Sequence, residues 1–215
     1  MRSNTTITVS GNGAINLAAT GTALSTVNAS ANTGGLTYTT TGSAAETVTG
    51  SATAANTLTA HAGSTADILI GGAANDVITS NGGLDTLTGN GGNDTFIIST
   101  PTNVNTYASI TDPHVGDTIE FAGLANAAAA FLQTKVTLAS TAVFQDYANA
   151  AVHTAAPAIH DAAWFQYGGN TYVVVNNVGA EASFTNGTDS IVKLTGTIDL
   201  SHTSLGTTHG TLLIG

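Results

Sequence analysis

The sequence has no cysteine, which excludes disulfides, thiolate metal sites and cysteine nucleophiles. Freedom from cysteine fits an exported protein that avoids stray oxidation. Bases are almost as scarce: Arg2, Lys135 and Lys193 stand against thirteen acids, giving a formal net charge of −10. That balance excludes nucleic acid and anionic membrane as partners, because both need a basic patch. There is no apolar run long enough to span a bilayer, and no charged n-region followed by an apolar h-region at the start. Met1-Arg2-Ser3 leads straight into strand-like sequence and reads as a start inside a longer protein. Charged residues make up only 7% of the chain and aromatics 6%. Low charge density combined with many β-branched residues is not the signature of disorder.

Thr, Ser, Asn, Gly and Ala dominate what is present. Thr and Val favour pleated surfaces, while Gly and Asn favour tight turns. The mixture predicts many short strands joined by turns, in a chain of 215 residues that is long enough to bury a core. Residues 5–60 carry loose units of about ten residues, such as TTTGSAAETVTG and SATAANTLTA. Each is a β-branched run ended by Gly, Asn or Ala, as in stacked solenoid coils or a β-sandwich.

Residues 62–97 are more regular. Aligned on aspartate they read AGSTADILI, GGAANDVIT, SNGGLDTLT and GNGGNDTFI, with Asp67, Asp76, Asp85 and Asp94 at every ninth position. Two residues after each stands a large apolar side chain: Leu69, Ile78, Leu87 and Phe96. This spacing is that of the G-G-x-G-x-D-x-U-x calcium roll. Six residues form a turn whose glycines (Gly63, Gly71, Gly72, Gly82, Gly83, Gly89, Gly91 and Gly92) allow carbonyls to face inward. The aspartate adds carboxylate oxygen, and the last three residues form a strand whose apolar side chain enters the core. Two repeats make one coil, so Asp67 is expected beside Asp85 and Asp76 beside Asp94, each pair sharing Ca2+ with turn carbonyls. Calcium takes six to eight hard oxygen ligands in adaptable geometry, which suits such a turn better than magnesium. The first repeat is the weakest, since Ala62, Ser64 and Thr65 replace glycines.

Asp112, Asp117 and Glu120 follow in ITDPHVGDTIEF, either as solvated turn acids or as the cap that closes the last calcium turn. Within residues 125–153, the only plausible helical region, TAVFQDYANAAVH places Phe144, Tyr147, Ala148 and Ala151 on one face, with Thr141 as a candidate N-cap. AWFQY-GGN-TYVVVN reads as a β-hairpin. Further strands are expected at 190–194 and 211–214. The six histidines show no H-E-x-x-H spacing, and no G-x-S-x-G elbow accompanies the serines, so no catalytic residue is assigned.

The repeats resemble the RTX family of proteins exported by type I secretion. The remainder, through ITDPHVGDTIEFAG, AAWFQYGGNTYVVVNN and GTDSIVKLTGTIDL, resembles the C-terminal part of Caulobacter-type surface-layer (S-layer) proteins. The resemblance implies a structural, non-enzymatic module at the cell surface that self-associates into a two-dimensional lattice, with an export signal read by an ABC-type exporter. It also places Asp112 and Asp117 in the motif that closes the roll, as calcium ligands beside the four repeat aspartates. The RTX tail of a secreted protease or lipase, or an adhesin module, stays open as an alternative. The expected fold is all-β: a right-handed parallel β-roll with nonapeptide repeats over 62–105, degenerate solenoid coils over 1–61, and a β-rich cap with one or two short helices over 106–215.

Overall fold

A strand of three or four residues followed by a glycine- or asparagine-bearing turn is the unit that builds most of this molecule. The structure, a computed structural model, describes residues 5–18, 24–41, 44–99, 105–121, 130–155, 161–179, 182–206 and 210–215. In chain order the first strands are β1 (Thr5–Gly11), β2 (Ile15–Leu17), β3 (Leu24–Asn32), β4 (Leu36–Thr39), β5 (Thr47–Thr49) and β6 (Thr57–Thr59). They continue as β7 (Ile68–Ile70), β8 (Val77–Ser80), β9 (Thr86–Thr88), β10 (Thr95–Ile98), β11 (Ser109–Ile110) and β12 (Thr118–Phe121). Odd strands form one sheet and even strands the other, each pairing in parallel with the strand two places on. This is a parallel β-roll, and the coils before the repeats belong to the same two sheets.

A short strand has one inward position, and the register stacks these positions into two columns. Val27, Val48, Leu69, Leu87 and Ile110 align on one sheet. Tyr38, Leu58, Ile78, Phe96 and Ile119 align on the other. All ten are buried, and Leu69, Ile78, Leu87 and Phe96 are each 0% exposed. Burying a side chain of this size contributes about 1.5–3 kcal/mol. Columns of this kind therefore hold together strands too short to be stable alone.

The far end changes direction. α1 (Phe144–Ala155) is followed by β13 (Ala162–Tyr167), β14 (Asn170–Val175), β15 (Ser190–Leu194), β16 (Ser204–Leu205) and β17 (Thr211–Leu213). β15 lies parallel to β11, after which β14 and β13 continue that sheet antiparallel; β17 runs antiparallel to β12, and β16 ends the other sheet beside it. The β13–β14 hairpin turns on Gly168 (φ +57°) and Gly169 (φ +79°), the positive-φ pair that a two-residue hairpin loop requires. Trp164 points into the roll core, while Phe165, Tyr172 and Val174 face the other way and pack against Phe144, Tyr147, Ala148 and Val152 of α1.

One expectation needs correcting, and the one or two helices expected are met by one among the described residues. Thr141 does not cap the helix: Asp146 Oδ2 accepts from the Val143 N–H at 2.9 Å, so the cap is formed from inside the first turn. Among the described residues there is one helix, and the stretch before it is extended, with Phe131 and Val136 bridging in parallel to Ala162 and Phe165. Residues 125–129 of the expected helical region lie outside the described residues.

Candidate metal centre

Each turn delivers a polar side chain just before an inward-facing strand, so parallel stacking turns nine-residue spacing into continuous columns of carboxylates. Asp67 donates its N–H to Asp85 Oδ1 at 2.9 Å, and Asp76 donates to Asp94 Oδ1 at 2.8 Å. The structure thus places Asp67 beside Asp85 and Asp76 beside Asp94. The columns also run past the repeats. Glu46 donates its N–H to Asp67 Oδ1 at 2.8 Å, and Asn56 to Asp76 Oδ1 at 2.7 Å. At the other end Asp94 donates to Asp117 Oδ1 at 2.9 Å. One ladder is therefore Glu46–Asp67–Asp85, and the other is Asn56–Asp76–Asp94–Asp117. Ala108 takes the next place on the first ladder, so its acids stop one coil earlier.

The ladder residues are buried, Asp67, Asp85 and Asp117 at 0% exposure and Asp76 and Asp94 at 1%. Among the described residues none of these five aspartates forms an ion pair with Lys or Arg. Burial raises the Asp76 carboxyl above its ordinary range, although the Gly72 and Asn56 amides oppose this. Asp85 is pushed up to about 6, mainly by burial and further by the Asp67 charge. Asp94 also rises to about 6, through burial and then the charges of Asp117 and Asp76. Stacked, dehydrated carboxylates of this kind call for a cation.

The second carboxylate oxygens differ from rung to rung. Asp67 Oδ2 accepts from Thr40 Oγ1 at 2.7 Å, Asp76 Oδ2 from the Gly72 N–H at 2.6 Å, and Asp85 Oδ2 from Ser80 Oγ at 2.7 Å. Asp94 Oδ2 is buried without a partner. Asp112, although close in sequence to Asp117, spends both oxygens on turn amides, those of Gly89 (3.0 Å) and Asn90 (2.6 Å). It closes the fourth repeat's turn by capping amides.

The repeat glycines allow the coils to approach. A Cβ on Gly72 overlaps the Ser51 carbonyl, and one on Gly83 overlaps that of Thr65. Gly83 and Gly92 also have positive φ, +83° and +104°. Gly63 and Gly82 share that backbone, Gly91 meets Ala73 only at contact distance, and Gly71 and Gly89 lie against Asp76 and Asp94.

Sequence reasoning missed three residues. Glu46 and Asn56 occupy ladder positions, and a signal for them existed: Glu46-Thr47-Val48-Thr49 and Asn56-Thr57-Leu58-Thr59 share the pattern of Asp85-Thr86-Leu87-Thr88. The third, His114, brings Nδ1 to 2.7 Å from Asp117 Oδ2, an ion-pair contact that lacks hydrogen-bond alignment.

The donor set fits a hard divalent cation: buried carboxylates in oxygen-rich turns, with raised carboxyls at Asp76, Asp85 and Asp94 and no Lys or Arg paired with the five ladder aspartates among the described residues. This architecture is that of a calcium β-roll. Residues 61–96 match the RTX calcium-binding nonapeptide repeat in four copies, and these repeats bind Ca2+. No curated protein matches the chain.

The raised carboxyls set a pH dependence. Between the unfolded value near 3.9 and the folded value of about 6, Asp85 and Asp94 hold more protons folded than unfolded. In chelator, stability is therefore expected to rise as pH falls from 7 towards 5. In saturating Ca2+ the sign reverses, because protons compete with the metal for the same oxygens. The β signal retained in EGTA at pH 7 and pH 5, and thermal midpoints at both pH values in Ca2+, check the two arms; a chelated protein that loses β signal on acidification contradicts the assignment.

Proposed function

We propose that this chain is the calcium-dependent folding and assembly region of a bacterial surface-layer protein, exported by a type I system and structural in role. The observation that carries this reading is the pair of carboxylate ladders whose five buried aspartates have no Lys or Arg partner among the described residues, and whose repeats are of a kind found in secreted proteins. Calcium is scarce in the cytosol and abundant outside. A chain whose acids repel until Ca2+ arrives stays threadable inside and folds after export. Calcium supplies the cross-link between rungs; the chain's own residues provide stacked oxygens, a column of apolar side chains and turns that fit without Cβ atoms.

The resemblance to surface-layer sequences, which runs in order over nearly all of residues 5–200, supports a lattice-forming role over the tail of an enzyme. The Thr- and Ala-rich coils of residues 5–60 support it too, because they continue the roll where a catalytic domain is expected in a secreted protease. Negative-stain electron microscopy of the purified chain tests this. Ordered two-dimensional sheets are expected with millimolar Ca2+ and none with EGTA. Monodisperse particles at every Ca2+ and protein concentration contradict the coat assignment, while leaving calcium-driven folding to be judged by its own spectroscopic signal.

A further inference from the structure

The closing coil differs chemically from every rung before it. The other ladder positions offer oxygen alone, through Glu46, Asn56, Asp67, Asp76 and Asp85. At the last step the carboxylates of Asp94 and Asp117 are joined by an imidazole, and the three ligand atoms all lie within 4.8 Å of one another. Asp94 Oδ2 is the second observation. Its residue is 1% exposed, and this oxygen has no hydrogen-bond partner. It belongs to one of the three groups that converge here, beside His114 and Asp117. A buried carboxylate oxygen without a donor is costly unless something positive meets it.

We propose that Asp94, His114 and Asp117 form a separate metal site at the end of the roll, one that takes a divalent transition metal, with zinc as the type ion, in preference to calcium. Calcium selects hard oxygen donors, whereas neutral imidazole suits zinc and its first-row neighbours. Ligands about 2 Å from a tetrahedral zinc stand about 3.3 Å from each other. The trio brackets that spacing, with one contact at 2.7 Å and the outer limit at 4.8 Å.

The remaining atoms hold the donors in place. Asp94 Oδ1 is fixed by the Asp76 N–H, which leaves Oδ2 for the site; Asp117 Oδ1 is fixed by the Asp94 N–H, and its Oδ2 accepts from the His114 N–H at 3.0 Å, which holds it beside the ring. The turn between His114 and Asp117 is closed by the Asp117 N–H donating to the His114 carbonyl at 3.1 Å, which sets ring and carboxylate on one side. Gly116 within that turn has φ +100° and donates to the Ile214 carbonyl at 2.9 Å, tying the turn to the residue that follows β17. Supporting contacts of this type orient first ligands and raise affinity. The His114 side chain is 40% exposed, which leaves an open side where water completes the coordination.

The site rests on the calcium-folded roll, so the experiment holds Ca2+ saturating and monitors folding separately by circular dichroism. Zn2+ is titrated calorimetrically into the full chain, and Co2+ is used as a visible-absorption probe. The expected result is one equivalent of zinc per chain, a visible Co2+ band, and at least about tenfold weaker binding in His114→Ala with the calcium-induced dichroism unchanged. His153→Ala and His202→Ala are expected to leave the stoichiometry intact. No zinc bound at saturating Ca2+ overturns the proposal, as does equal zinc affinity in His114→Ala. Loss of the equivalent in the His153 or His202 variant also overturns it, since that marks adventitious surface binding. Failure of the wild-type chain to fold with Ca2+ is a different outcome, and counts against the calcium reading itself.

Discussion

Withdrawing calcium from the folded chain is expected to abolish most of its β signal in a single transition, and restoring millimolar Ca2+ to recover it. The ladders set the scale. Strands in a sheet lie about 4.8 Å apart, so each carboxylate has another one coil away. Two unit charges at about that distance repel by about 3 kcal/mol at an effective dielectric constant of 20. Glu46 with Asp67, Asp67 with Asp85, Asp76 with Asp94, and Asp94 with Asp117 are four such neighbours. Protonation relieves part of this, as the rise of Asp85 and Asp94 to about 6 indicates, but at neutral pH both remain largely charged. The uncompensated sum approaches the 5–15 kcal/mol that a domain has in total. The single tryptophan provides a local check, because Trp164 packs into the same core cluster as the stacked leucines and isoleucines. Its fluorescence should shift at the same Ca2+ midpoint as the dichroism. Separate midpoints, or dichroism indifferent to chelator, contradict the coupling of metal to fold. Magnesium at equal concentration should not substitute, since it resists leaving its water shell for a cage of carboxylates and carbonyls.

The part of the roll that was legible in the sequence is the part with invariant coil length. Asp67 to Asp85 and Asp76 to Asp94 are each eighteen residues, so the phase is visible by simple alignment. Upstream, Glu46 to Asp67 is 21 and Asn56 to Asp76 is 20. Turns longer by two or three residues break a fixed spacing while leaving strand register untouched, because pairing depends on the strand and not on the excursion between strands. The substitutions at Glu46 and Asn56 removed the aspartate signal as well, leaving only the Thr-apolar-Thr strands. His114 was illegible for a different reason: it meets Asp94 through a coil of 23 residues that ends at Asp117, and no local spacing reports such a contact. The β13–β14 hairpin was readable because its glycine pair dictates the turn. The strand β16 was not: it is two exposed residues held by β17, and its pairing is entirely tertiary.

Replacing Gly71 by alanine is expected to weaken the roll more than a single added methyl on a turn normally does. Its backbone is not left-handed, so the effect is one of space. A Cβ at this position overlaps Asp76 Oδ2 and comes within 2.9 Å of the Gly89 carbonyl oxygen. The carboxylate cannot yield cheaply, since Oδ2 is held by the Gly72 N–H at 2.6 Å and Oδ1 by the Asn56 N–H at 2.7 Å. Nor can the carbonyl, which belongs to the next coil. Overpacking of this kind costs about 1–3 kcal/mol through shifted backbone alone, and moving Asp76 also removes a ladder oxygen. A Ca2+ midpoint at least about tenfold higher is therefore expected, since about 1.4 kcal/mol is a factor of ten. Gly187 is the control. Its φ of +78° makes alanine mildly strained, yet a Cβ there meets nothing within 4 Å. Gly187→Ala should cost about 1 kcal/mol of stability with the Ca2+ midpoint little changed. Equal calcium responses in the two variants would mean that the carboxylate of Asp76 does not depend on the bare backbone beside it, and that the fit between glycine turn and acid ladder is not what binds the metal.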